Sequence, residues 1–295
     1  MTLHNNDAYA SAHAEALTDE QLHRIAPSIF ATTAHSSRSA RFTPVPTINV
    51  INGMRHAGFY PVAAKQSGAR TEDRKDFTKH AVRFRRMDRA SDLTLGQIFA
   101  EIVLSNANDG TSSYQLFGGL FRLACLNGLV TADSAIQSVR IGHTGKIIDR
   151  VIEGSYSVQE QTGKAIDVCH QWKQITLDAH EQQALAVQAH ALRFGAPVEG
   201  EVSPIQPQQL LRPRRHADID NSLWTVFNRL QENAVKGDLT GYTKAGYALN
   251  KQGREVWRPS RAVRTRQING IGQDIKLNRD LWALASDVAA QKLAA

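Results

Sequence analysis

The stretch IVLSNANDGTSSYQLFGGLFRLACLNGLV, Ile102 to Val130, decides how the chain folds. An apolar run leads into a polar Asn/Asp/Gly/Ser/Thr turn and a second apolar run follows, the order expected of a buried strand feeding a buried helix. Phe117, Leu120, Phe121 and Ala124 recur at helical spacing, so a helix is expected over Ser113–Leu126, with Gln115 and Arg122 on its polar stripe. Gly118-Gly119 would admit a close neighbour at a propensity cost, and Asn127-Gly128 reads as the stop. The turn would then sit at a helix N-terminus, a place that suits phosphate. It has no lysine of a nucleotide-binding loop, and capping by Ser112 or Ser113 is the plainer role.

Upstream, Thr94–Ser105 is continuous enough in Leu, Ile, Phe and Val to be a central strand. Phe77–Arg86, FTKHAVRFRR, alternates as a strand: Lys79, Ala81, Arg83 and Arg85 fall on one side, His80, Val82, Phe84 and Arg86 on the other. With no purely basic face, it is expected near an edge or a groove. Phe59–Ala64 reads as a strand, and Thr47 can cap a helix ending at Gly58. Residues 1–42 form an arm, loose or draped over the domain, apart from a short helix at Thr18–Ile25.

Downstream, a strand is expected over Ala135–Gly142, then helix from Lys146 to Phe194 with Asp178 capping its second part. Residues 196–220 hold four prolines and Arg212, Arg214 and Arg215, and read as a linker or crossing loop. Asn221–Val235 is a helix, Gly237–Arg258 a Gly/Tyr/Lys excursion, and Asn278–Leu293 a last helix. The expected class is α+β: a mixed, mainly antiparallel sheet covered by helices in a core domain over 43–195, with a helical, basic C-terminal part over 221–295.

A chain of 295 residues with 42% hydrophobic residues buries a sizeable core. Its 35 Lys and Arg outnumber 28 Asp and Glu, and the excess is uneven. Ala34–Arg89 holds twelve basic and four acidic residues, Ile205–Arg279 fourteen and six, but Asp149–Ser203 four and eight. Two cysteines, Cys125 and Cys169, exclude a disulfide framework and a four-cysteine zinc site, and fit a reducing cytoplasm. There is no signal-peptide pattern, and no window approaches the roughly 18 apolar residues of a spanning helix.

The eleven histidines include no His-Glu-x-x-His, and His180 and His190 stand ten apart, so no metal or other cofactor is expected. No Gly-x-Ser-x-Gly and no acid/base pair mark a catalytic centre, Asp109 being a lone carboxylate near Gln115 and Arg122. The basic segments instead interleave with aromatics: Tyr60, Phe77 and Phe84 in the first, Trp224, Tyr242, Tyr247 and Trp257 in the second. Cations neutralise phosphates and rings stack on unpaired bases, a mixture suited to single strands.

Three segments resemble one known family, the phage- and plasmid-like proteins carrying domain of unknown function 932. They are FTKHAVRFRR; SNANDGTSSYQLFGGLFRLACLNGLV, Ser105–Val130, with its Tyr-Gln-Leu, Gly-Leu-Phe-Arg and Cys-x-Asn-Gly motifs; and NSLWTVFNRLQENAVKGDL, Asn221–Leu239, with IKLNRDLWALA, Ile275–Ala285. Asn108 stands where relatives often carry His, so any role of that imidazole is absent. The resemblance implies a plasmid, prophage or other mobile-element setting and carries over no catalytic residues. A strand-rich first half under a helix is also similar in outline to phage single-strand annealing proteins of the Red-beta type, an analogy of fold alone.

The expected function is sequence-independent binding of single-stranded DNA in recombination or replication of a mobile element, without catalysis. Lys79, Arg83, Arg85 and Arg86 would contact phosphates, Gln115 and Arg122 support that site, and Arg261, Arg264 and Arg266 form a second contact. Assembly of copies into a ring or filament is compatible with this role. The rival is an anti-defence or interaction factor whose basic patches meet a host or phage protein.

Overall fold

A computed structural model of the chain describes residues 16–33, 45–69, 71–86, 98–109, 112–122, 128–130, 139–141, 146–196, 203–249 and 252–294. In chain order its elements are α1 (Asp19–Ile25), α2 (Thr47–His56), β1 (Phe59–Gln66), β2 (His80–Arg86), β3 (Ile98–Ala107), β4 (Ser112–Arg122), β5 (Gly128–Val130) and β6 (Val139–Ile141). Then come α3 (Ile147–Trp172), α4 (Ala179–Phe194), α5 (Leu223–Lys236), β7 (Thr240–Tyr242), β8 (Gly246–Leu249), β9 (Glu255–Arg258), β10 (Ala262–Arg264) and α6 (Ile271–Ala294). The fold is α+β, in two compact units, Met1–Val168 with Asn269–Arg279, and Cys169–Ile268 with Asp280–Ala295.

The first unit is built on an antiparallel sheet in the order β1-β2-β3-β4-β5, with β6 also pairing β4. The expected helix over Ser113–Leu126 is overturned: its described part is β4, and residues 123–127, with Cys125, lie outside the described residues. The cause is burial on both faces. Tyr114 and Leu116 enter the front core with Ile102 and Leu104, while Phe117 enters the back with Val103. Such a strand shows no polar alternation and mimics helical spacing. Gly118 and Gly119, costly in a helix, sit opposite Ile102 and Glu101 in the ladder. The turn at Asn108-Asp109 therefore joins two strands and offers no helix N-terminus to phosphate.

The central place of β3 and the side-chain alternation of β2 match expectation, but β2 lies between β1 and β3 and is no edge. Of the expected strands, residues 94–97, 135–138 and 142 lie outside the described residues. The front face carries Val82, Phe84, Ile102, Leu104, Tyr114 and Leu116, covered by Val50, Ile51 and Met54 of α2 and Ile147, Val151 and Val158 of α3. At Gly154 a Cβ would stand 2.9 Å from Leu116 Cδ1, so the glycine sets how closely α3 approaches the sheet. Leu17, Leu22 and Ile29 join the same core, so this part of the N-terminal arm is anchored; α1 is closed by a Thr18/Gln21 capping box. Residues 1–15 and 34–42 of that arm lie outside the described residues.

Beside this core, on the same front side, lies a buried polar network. His80 Nδ1 meets Ser28 Oγ at 2.9 Å and Nε2 meets Thr47 Oγ1 at 2.9 Å. Thr47 Oγ1 also meets Tyr114 Oη (3.1 Å) and accepts from Asn106 Nδ2 (3.2 Å), and Tyr114 Oη donates to Val45 O. With that proton committed to Val45, Tyr114 accepts from Thr47, which favours a His80 ring that donates from Nε2 and accepts from Ser28 at Nδ1 over one that donates from Nδ1 to Thr78 O, 3.3 Å away. Thr47 thus binds the sheet rather than capping α2, whose N-cap position is Pro46.

Burial pushes the His80 pKa from its ordinary 6.5 to about 4. The folded value is depressed, so the neutral ring contributes stability that is complete above pH 6.5 and lost as pH falls towards 4, of order 3 kcal/mol. In urea melts at pH 7.5 and 4.5, wild type should lose more stability over that interval than His80→Gln. Equal losses would remove His80 as the titrating group.

The second unit centres on Trp172, Phe227 and Trp282, with ring centroids 4.4 Å apart for the tryptophans and 5.4 and 5.8 Å from each to Phe227. Asp178 caps α4 as expected, in a capping box with Glu181. From Ser203 on, the expected linker is packed. Ile205 and Leu210 are buried, Arg214 donates to Asn233 Oδ1 (2.7 Å) and Gly237 O (2.5 Å), and Arg215 bridges the buried carboxylates of Asp218 and Glu232. Those two arginines satisfy groups along and just beyond α5, while Arg212 and Arg214 remain exposed. The last helix begins at Ile271, earlier than Asn278, because Ile271 and Ile275 cover the back of the sheet against Ala81, Val103 and Phe117.

Candidate nucleic-acid interface

Arg83 and Arg85 do not face solvent. Both point to the back of the sheet, where Glu101 of the neighbouring strand takes both guanidiniums: Arg83 Nε and Nη2 lie 2.8 Å from Oε2, and Arg85 Nε and Nη2 lie 3.0 and 2.5 Å from Oε1. Arg83 is 1% exposed and Glu101 2%. Buried charges persist only when paired, so these residues tie β2 to β3 and are not presented to a phosphate backbone. On the same face Lys65 stands 3.9 Å from Asp274. Burial raises the Asp274 pKa to about 6 and lowers that of Lys65, each countered by the other's charge. Ionising Asp274 therefore costs stability as pH rises through 6, opposite in sign to His80.

The remaining expected contacts of this unit are scattered. Lys79 is half-buried, its pKa lowered by desolvation. Arg86 is exposed on the front side, 5.7 Å from the Tyr156 ring. Gln115 is half-buried between Ser105 and Arg140, and Arg122 ends β4 opposite Ile98, its side chain outside the described residues.

The expected second contact falls on a different object, a two-stranded arm over 240–264. Thr240 pairs Arg264 and Tyr242 pairs Ala262 at its root; Gly246 pairs Arg258 and Leu249 pairs Glu255 farther out. Between the ladders Thr243 N donates to Arg261 O (2.9 Å) and Arg261 N to Thr243 Oγ1 (3.0 Å), so one register runs the whole length. Residues 240–266 hold seven Lys and Arg against one Glu. Tyr242 is 73% exposed, Tyr247 71% and Trp257 55%. Tyr247 and Trp257 lie directly opposite each other, ring centroids 5.2 Å apart and edge to face.

The root is anchored. Thr265 and Leu239 exchange backbone and hydroxyl bonds, Gln209 Nε2 donates to Thr240 O (2.7 Å), and Arg264 Nε pairs with Asp238. Gly241 faces the segment read as linker: a Cβ there would stand 1.7 Å from Pro204 O. Gly241→Ala should therefore destabilise by about 1–3 kcal/mol. Gly246→Ala, with nothing within 4 Å, should stay within about 0.5 kcal/mol. Thermal melts of the pair check this, and equal behaviour would mean that the root is not pinned there.

Arg261 and Arg264 belong to the arm and Arg266 follows it, its carbonyl accepting from Arg193 Nη2 at 3.0 Å. Lys244, Arg254 and Arg258 were not among the expected contacts, and the arm brings them together with the expected aromatics Tyr242, Tyr247 and Trp257; the signal was Tyr, Val and Trp in two short runs around Gly253. Two reactive side chains among the described residues are held in structural roles. Burial pushes the Cys169 thiol far above its ordinary range, and His190 is committed to Ser203 and Ile205 O. Among the described residues no group of three His, Cys, Asp or Glu could hold a metal ion.

A family model described as domain of unknown function DUF932 matches residues 34–282, both units included. The chain belongs to that family. Similar to it are the UPF0380 proteins YafZ and YfjQ of Escherichia coli (strain K12), 39% and 38% identical over 275 residues, 93% of this chain and 92% of each relative. No solved structure matches the chain, so the outline likeness to single-strand annealing proteins gains no support. The family match spans sheet and arm alike, and among the described residues no helix is long and apolar enough to cross a membrane.

Proposed function

We propose that this DUF932 protein binds nucleic acid, single-stranded DNA first of all, through the arm over 240–264, without sequence preference and without catalysis. One observation carries the reading: three large aromatic side chains stand in solvent on a root-anchored two-stranded ribbon rich in Lys and Arg. An isolated two-stranded ribbon is marginally stable in water, and exposed Tyr and Trp contribute little to folding. Base stacking and phosphate neutralisation use the residue types found there. In this reading the protein works in the cytoplasm, in recombination or replication of a mobile element.

Fluorescence anisotropy with labelled single-stranded and duplex DNA at two salt concentrations tests it. Binding at about 50 mM salt that weakens steeply with salt is expected. No binding to either ligand would overturn the proposal and favour the rival, in which the arm meets an acidic host protein.

A further inference from the structure

The two faces of the outer ladder differ in chemistry. Side chains directly opposite share a face and alternate along each strand. Tyr247 and Trp257 thus share one face with Glu255, two residues along from Trp257, while Val256 and Arg258 take the other. All the described side chains of this ladder are exposed, so both faces are open. At the root, by contrast, the Gly241 face is closed by Pro204 and only the Tyr242/Arg264 face is open.

We infer that the arm's preferred ligand is a nucleic-acid junction, the point where paired strands part; this rests on the nucleic-acid reading of the arm. One ring of the edge-to-face pair, that of Trp257, stacks on the last base pair, whose plane is exposed at a fork as it is at a blunt end. Glu255 repels phosphates from that face, and Arg258 on the reverse meets the phosphates of a departing strand. A continuous duplex hides its base planes from the aromatic pair. A lone single strand, lying on one face, leaves the other uncovered.

Anisotropy with three labelled DNAs of equal length, single-stranded, blunt duplex and forked duplex, tests this on the full chain at about 100 mM salt. The fork is expected to bind about tenfold tighter than the single strand, a preference the stacking contribution of one or two bases supplies. Trp257→Ala should bring the fork down to the single-strand level while single-strand binding changes less, and Arg258→Glu should weaken all three. Both residues are exposed, and unchanged circular dichroism confirms the fold of each variant. Equal affinity for fork and single strand, or an equal loss on all ligands in Trp257→Ala, would overturn the junction assignment and leave nucleic-acid binding intact. Absence of binding to all three would overturn both.

Discussion

Glu101→Ala should lower the free energy of unfolding by about 3–5 kcal/mol, because it strips the carboxylate from between two guanidiniums that remain out of water. The same substitution on the surface would cost a few tenths of a kcal/mol. Arg83 and Arg85 occupy alternate positions of one strand, and Glu101 lies on its neighbour with an oxygen turned to each. Gly119, directly opposite Glu101 on β4, leaves that point of the back face without a side chain. The companion variant replaces all three residues with apolar ones of similar size, Arg83→Met, Glu101→Leu and Arg85→Met. It should be much less destabilised than Glu101→Ala, since it leaves no buried charge behind. Denaturant melts measure both. A loss below about 1 kcal/mol in Glu101→Ala would show that water or another group takes over the carboxylate's role.

Reversing three arm charges, Arg254→Glu, Arg258→Glu and Arg261→Glu, should weaken single-strand binding by about a hundredfold or more at low salt and flatten the salt dependence by roughly three counterions. The melting temperature should move far less than in Glu101→Ala, because these side chains are exposed and the root bonds are backbone bonds or belong to Gln209, Thr265 and Arg264. Reversing Arg83 and Arg85 would act the other way round, on stability before affinity. An unchanged salt slope in the triple variant would exclude the arm as the phosphate contact.

The side-chain alternation of β2 was legible because a strand repeats every two residues, but nothing in FTKHAVRFRR says whether its arginines meet water or a carboxylate fifteen or more residues away. That depends on strand pairing. In the same way Ser113–Arg122 looks helical because both its faces are buried, and only its neighbours β3, β5 and β6 define it as a strand. The capped helices α1 and α4 were readable from local signals, Thr18 with Gln21 and Asp178 with Glu181. The arm was half visible. Its composition stood out, but its pairing joins residues up to 24 apart across a stretch rich in Gly and Lys, which reads as loop until the register is known.

The unbroken register of that arm restricts how its length can change in related chains. One residue lost from each strand between root and outer ladder, Ala245 with Ser260, would preserve charge and pairing, yet turn the Tyr247/Trp257 side over relative to the anchored root. Two lost from each strand would restore it. Deletions and insertions in the arm should therefore be tolerated in even steps and rejected in odd ones, a parity rule that a series of shortened chains can read without any knowledge of the ligand.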